Sequence, residues 1–118
     1  AGSIDVSAKA SLVIVEGVGA ARRELTHLLD AVVWVQSDVE EAERRGMLRG
    51  RGGAQARERW DAWMAEEIPF LAADRPWERA TVIVAGTDDV TCDPTSQVVI
   101  ANPSSLADTS RQAAPTTT

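Results

Sequence analysis

Ser11–Gly19, with the sequence SLVIVEGVG, is the stretch that decides the fold of this chain. Its apolar run, Leu12–Val15, is continuous rather than alternating, which is typical of a strand covered on both faces, as in a parallel sheet. Glu16 and a glycine-spaced turn follow directly. Because ligands in open α/β sheets bind just outside the carboxyl ends of strands, Glu16 is a candidate functional residue.

Two further apolar runs continue this pattern, Ala31–Val35 and Ala80–Ala85. The spacing of apolar residues predicts a short helix over Ala20–Leu29, a second beginning at Asp38 and a long one over Ala54–Ala73. Strands that alternate with helices predict an α/β fold. We expect a parallel sheet of about three buried strands with helices on both faces.

Local signals refine these boundaries. Ser37 and Glu40 have the spacing of a capping box and predict the start of the second helix, which extends to about Leu48. Pro69 lies inside the long helical pattern and predicts a kink or a break there, or a second helix that starts near it. The apolar stripe of that helix indicates core packing; its members are Trp60, Trp63, Met64, Ile68 and Leu71.

The 118 residues fit one domain. Residues 1–101 are predicted to form the α/β domain, with a short edge strand over Gln97–Ala101. Residues 102–118 are rich in Pro, Ser, Thr and Ala and predict a disordered tail.

Composition excludes several function classes. A net charge of −6 argues against a general nucleic-acid surface. No apolar run is long enough for a membrane span and no export leader opens the sequence, so we expect a cytoplasmic location and no membrane partner. The single Cys92 excludes a cysteine-based zinc site, and the single His27 excludes a histidine-rich metal site.

Arginines are concentrated in one segment. Six of them lie within sixteen residues: Arg44, Arg45, Arg49, Arg51, Arg57 and Arg59. Guanidinium groups suit bidentate phosphate binding, and the glycines around Arg51 predict a mobile loop. The same arginines also have the helical spacing to pair with Glu40, Glu41 and Glu43 on a solvated helix face. Both interpretations stay open.

Read together, these motifs show a familiar order. An apolar strand ends in Glu16-Gly17, a helix end and a second strand occupy Leu28–Val35, and Arg44, Arg45 and Arg49 lie on the next helix. Trp77–Val84 leads into the last core strand. Over residues 11–86, this order resembles the C-terminal, lid-bearing half of the uridine kinase-like P-loop kinases.

The resemblance implies an activity for the intact protein. It implies ATP-dependent, Mg²⁺-assisted transfer of a phosphoryl group to a hydroxyl of a nucleoside or similar small molecule. Glu16 would be the catalytic residue, serving the acceptor region or reaching the metal through a water. Arg45 and Arg49 would contact phosphates, with Arg44 and Arg51 as helpers.

One part of that family is missing from the chain. No Gly-x-x-x-x-Gly-Lys-Ser/Thr loop is present, and the only lysine is Lys9. The resemblance therefore implies a fragment that is inactive alone, in which the first two strands either pair directly or leave a gap. The alternative is a non-catalytic α/β module that binds an anionic ligand or an acidic partner through its arginines. Apolar edges left by a missing strand favour a homo-oligomer.

Overall fold

The computed structural model describes residues 2–87 and 90–100; the predicted tail over 102–118 lies outside them. Within the described part, the elements are a 3₁₀ helix Arg23–Leu28, strand β1 Val33–Gln36, helix α1 Val39–Arg49, helix α2 Gly53–Asp74, a 3₁₀ helix Pro76–Arg79 and strand β2 Val82–Ala85. The α/β class is confirmed.

In the described residues, strands β1 and β2 form a two-stranded parallel sheet. The register pairs Val33 with Val82 and Trp34 with Ile83. Because side chains alternate along a strand, Trp34 and Ile83 share one face and the valines share the other. Ile83 is buried, whereas Val33 is 62% exposed. The prediction that both faces are covered therefore holds for one face only in this part of the chain.

The first predicted strand is not formed. Leu12–Val15 has no strand assignment and its side chains are exposed, with Ile14 at 81%. A β-strand needs a neighbouring strand to satisfy its backbone hydrogen bonds, and no strand lies beside Leu12–Val15 in the described residues. The expected sheet of about three buried strands is therefore corrected to two among the described residues. Direct pairing of the first two predicted strands does not occur.

On the side of β2 opposite β1, Ile100 makes an antiparallel bridge to Val84, and Ala85 N donates to Val99 O at 2.8 Å. The predicted edge strand over Gln97–Ala101 is thus reduced to a single bridge at this side of β2, with Ala101 itself beyond the described residues.

Helix boundaries follow the sequence closely with local shifts. The cap of α1 is Asp38 rather than Ser37, because the Asp38 carboxylate accepts from Glu41 N at 2.9 Å. Helix α2 is one continuous helix through Pro69, so of the alternatives predicted there the break and the start of a second helix are wrong. The short helix predicted over Ala20–Leu29 is a 3₁₀ helix over Arg23–Leu28.

A tight turn folds α2 back onto α1. Arg51 N donates to Leu48 O at 3.0 Å and Gly52 N donates to Met47 O at 2.8 Å, the two bonds of a Schellman motif. Arg51 takes the left-handed position of this motif, with φ of 61°. Glycine usually occupies that position because a Cβ is strained there.

Gly46 in α1 and Gly50, the residue that caps its C-terminal end, set how closely the two helices approach. A Cβ placed on Gly46 would lie 2.6 Å from Cζ3 of Trp60, and one on Gly50 would lie 2.9 Å from the Cβ of Ala56. Ala56 is only 5% exposed. The helices are therefore in contact across these glycines, and a side chain at either position would have to displace the Trp60 ring or α2.

The N-terminal segment is attached at the end of α2. Asp74 pairs with Arg79, whose guanidinium also donates to Ala21 O at 3.1 Å. Arg23 N donates to the Asp74 carboxylate at 3.1 Å. Burial alone would raise the pKa of Asp74, but the hydrogen bonds from Arg79 and Arg23 lower it overall. These bonds hold residues 21–23 beside the approach to β2.

Candidate functional site

Two of the predicted phosphate contacts are already occupied. Arg44 Nε donates to the Glu41 carboxylate at 2.7 Å and Arg45 Nε donates to it at 2.6 Å. These hydrogen bonds lower the pKa of Glu41 to about 2. For Arg44 and Arg45, the structure favours the interpretation of a helix face with paired charges.

Arg45 has a second contact that places it at the sheet. Its Nη1 donates to the carbonyl of Gly86 at 3.2 Å, directly after the last residue of β2. Gly86 N in turn donates to Gln36 O at 2.7 Å, at the end of β1. Asp38 N donates to the hydroxyl of Thr87 at 3.2 Å. Arg45 therefore lies at the carboxyl ends of both strands.

Arg57 is also neutralised. It pairs with Glu43 across the two helices and lies 3.8 Å from Asp61 on its own helix. The hydrogen bond that Arg57 donates to the Glu43 carboxylate raises the pKa of Arg57. Helices α1 and α2 form a helical hairpin, and the Arg57–Glu43 pair stabilises it in addition to the glycine contacts.

Arg49 and Arg51 differ from these three. Neither makes an ion pair within residues 2–87 and 90–100. Arg49 is one helical turn beyond Arg45, and Arg51 is in the turn itself. The structure thus separates the four predicted arginines into a paired half and an unpaired half.

A groove of about 400 Å³ lies where α1 meets α2. It is lined by Gly46, Arg49, Gly50, Ala56, Arg59, Trp60 and Trp63. Along the groove, Trp60 packs against Gly46 and Ala56 packs against Gly50.

The groove combines cations with aromatic surface. Arg59 donates to the Gly50 carbonyl at 3.4 Å and has no carboxylate partner among the described residues. Trp60 and Trp63 meet edge to face, with ring centroids 5.8 Å apart. Trp63 is 44% exposed, so the predicted core stripe presents part of its aromatic surface to solvent.

Glu16 is not brought to any of these arginines. It lies in the exposed segment before the 3₁₀ helix, and no ion pair or side-chain hydrogen bond of Glu16 occurs in the described residues. The same residues contain no group of three His, Cys, Asp or Glu side chains able to hold a metal. Mg²⁺ is commonly held by one or two carboxylates together with water and substrate phosphates, so the role of Glu16 at a metal stays a prediction.

Sequence reasoning missed Arg59, Trp60 and Trp63 as parts of one site. The signal was present in two spacings. Gly46 and the C-cap residue Gly50 are four residues apart at the end of α1, and Trp60 and Trp63 are three apart on α2, so each pair shares one helix face. What the sequence did not show is that these two faces meet.

Comparison with protein-family models, with curated proteins and with solved structures finds no match to this chain. The resemblance to uridine kinase-like enzymes therefore stays a prediction. Among the helices of the described residues, none is long and apolar enough to cross a membrane. The class that fold and geometry define is an α/β chain with an arginine–tryptophan groove on a helical hairpin.

Proposed function

We propose that this chain is a binding module for an anionic, phosphate-bearing small molecule, held in the groove between α1 and α2. The observation that carries the proposal is the charge distribution around that groove. Arg49 and Arg59 line it without a carboxylate partner in the described residues, whereas Arg44, Arg45 and Arg57 are paired.

Physical chemistry favours an anion at this place. An unpaired guanidinium offers several N–H donors in a planar fork that fits phosphate oxygens bidentately. Two such groups on one groove provide the local positive charge that a chain of net charge −6 otherwise lacks. We propose Arg51, in the turn that follows α1, as a third cation for the same ligand.

The test is titration of the chain with inorganic pyrophosphate by calorimetry. A hydrogen bond between charged groups contributes about 1.5–3 kcal/mol, so we expect Arg49→Ala or Arg59→Ala to weaken binding by roughly ten- to a hundredfold. Arg44→Ala is the matched control, since it removes a cation that already has a partner. Equal losses in all three variants would mean that binding follows net charge rather than this groove.

A second candidate is the phosphoryl transfer implied by the sequence. We propose it for the intact protein, with this chain supplying the arginine-bearing lid. Its support is the position of Arg45, whose contact with Gly86 places a guanidinium at the carboxyl ends of two parallel strands. Ligands of α/β sheets bind at those ends.

The two candidate functions differ in whether the intact protein has a glycine-rich, phosphate-binding loop. Because the chain lacks a Gly-x-x-x-x-Gly-Lys-Ser/Thr loop, the lid interpretation expects weak binding of Mg-ATP by this chain alone. Submicromolar affinity for Mg-ATP would contradict it. A glycine-rich loop ending in Lys-Ser/Thr, encoded upstream within the same gene, would support it over the binding module.

A further inference from the structure

In the described residues, the sheet has a free strand edge, and the N-terminal segment contains an apolar run that has no strand partner. Strand β1 pairs with β2 on one edge, and no strand of the described residues occupies its other edge. Leu12–Val15 is an apolar run of the same length as β1 with no strand partner in the described residues. Val33 and Val35 of β1 are 62% and 57% exposed, and Ile14 of the segment is 81% exposed.

We propose that Leu12–Val15 of one copy of this chain adds as a strand to the free edge of β1 in a second copy, and that the exchange is reciprocal. An extended segment that joins an open edge gains backbone hydrogen bonds along its length. A reciprocal exchange uses the same two surfaces on both copies, which closes the assembly as a symmetric dimer.

The chain's own segment does not occupy this edge. Ala21 and Arg23, shortly after the segment, are bonded to Arg79 and Asp74 at the end of α2. With residues 21–23 held there, the structure leaves Leu12–Val15 exposed and β1 without a partner on that side in the described residues. A second copy carries the same apolar segment in the same exposed state, so it can supply what the edge lacks.

The apolar surface involved corresponds to a small interface. Because side chains alternate along a strand, two of the four segment side chains share the face of Val33 and Val35, and at roughly 100 Å² each these four provide on the order of 400 Å² per copy. Two copies together bring about 800 Å² of apolar surface to the interface, and the paired backbone edges add to it. The total lies below the ~1,200 Å² at which stable interfaces begin, so we expect a dimer that depends on protein concentration.

The first experiment measures molar mass by light scattering after size exclusion, from micromolar to millimolar protein. We expect a concentration-dependent dimer. Ile14→Lys, which changes a side chain exposed in the single chain, should raise the dimer dissociation constant by about a hundredfold, roughly tenfold for each of its two buried copies. Ile4→Lys is the matched control, because Ile4 is exposed in the same N-terminal region but outside the segment. A monomer at all concentrations overturns the proposal.

The second experiment identifies the strand and the chain that supplies it. In a Cys92→Ser background, single cysteines replace Leu12, Val13, Ile14 or Val15 in one protein and Val35 in another. Mixing the two under mild oxidation should give a disulfide-linked pair for the segment position opposite Val35, since a disulfide needs Cβ atoms about 3.5–4.5 Å apart. If cysteines at both places in one chain link only within that chain, or if no position links, the proposal is wrong.

Discussion

Replacing Gly46 by alanine tests the contact that closes the helical hairpin. The new Cβ would lie 2.6 Å from Cζ3 and 2.7 Å from Cε3 of Trp60, whereas non-bonded carbons rest at about 3.5–4.0 Å. The ring or the helix must therefore retreat by roughly 1 Å. Overpacking of this kind costs about 1–3 kcal/mol, and the better helix propensity of alanine offsets about 1 kcal/mol. We expect Gly46→Ala to lower the free energy of unfolding by about 1 kcal/mol.

The assay is urea denaturation followed by the helical circular dichroism signal, carried out as a double-mutant cycle with Trp60→Leu. In the Trp60→Leu background the ring is absent, so the same Gly46→Ala change should raise the free energy of unfolding by up to about 1 kcal/mol. Trp63→Leu is the control background. It shortens a neighbouring tryptophan but leaves Trp60 in place, and Gly46→Ala should stay destabilising there.

The change of sign is the decisive result. If Gly46→Ala stabilises the unmodified chain, the helices do not approach across Gly46 as described. If its effect is the same with and without Trp60, the two residues are not coupled, and the groove that depends on their contact loses its structural basis.

Three further outcomes are expected. In the folded chain the pKa of Glu41 is lowered to about 2, so its contribution to stability is complete above the ordinary value of 4.5 and is lost as the pH falls toward 2. An NMR titration of the Glu41 carboxyl measures this pKa directly. In Glu41→Gln, the fall in the free energy of unfolding between pH 4.5 and 2 that is due to this group should be absent. Arg51→Gly should raise the free energy of unfolding by about 0.5–1 kcal/mol, since it relieves a left-handed backbone, and should weaken pyrophosphate binding if Arg51 contacts the ligand. Arg79→Met removes the bonds to Asp74 and Ala21, so limited proteolysis before residue 21 should become faster with no change at the groove.

The helices could be predicted because their signals are local. Apolar spacing and the run of good helix formers placed the long helix within one residue at each end, Ala54–Ala73 against Gly53–Asp74 in the structure. The cap of α1 moved by one residue because Asp38, like Ser37, is followed three positions later by a glutamate. Where two cap residues are adjacent, the sequence alone does not choose between them.

The strands could be predicted only in part because they depend on partners. The strands predicted over Ala31–Val35 and Ala80–Ala85 pair with each other in parallel as β1 and β2. Leu12–Val15 has the same apolar composition, but no strand of the described chain runs beside it. A continuous apolar run thus predicts a tendency to join a sheet, and whether it does so depends on what else is present.

The site divides in the same way. Glu41 was among the expected partners of the arginines because helical spacing fixes which charges on one helix can meet. Arg49 has no ion-pair partner in the described residues because the positions three and four residues before and after it carry no acidic side chain. The assembly of Arg49 and Arg59 with two tryptophans depends on the fold-back of α2, which no local pattern specifies.

The two proposals concern different parts of the molecule, and this makes them separable. The groove belongs to the hairpin of α1 and α2, whereas the open edge belongs to β1 and the N-terminal segment. A substitution of Ile14 that abolishes the dimer should therefore leave pyrophosphate binding unchanged, and Arg49→Ala should leave the dimer unchanged. If Ile14→Lys also removes binding, the ligand site depends on the second copy. The exposed apolar segment would then complete the site as well as the sheet.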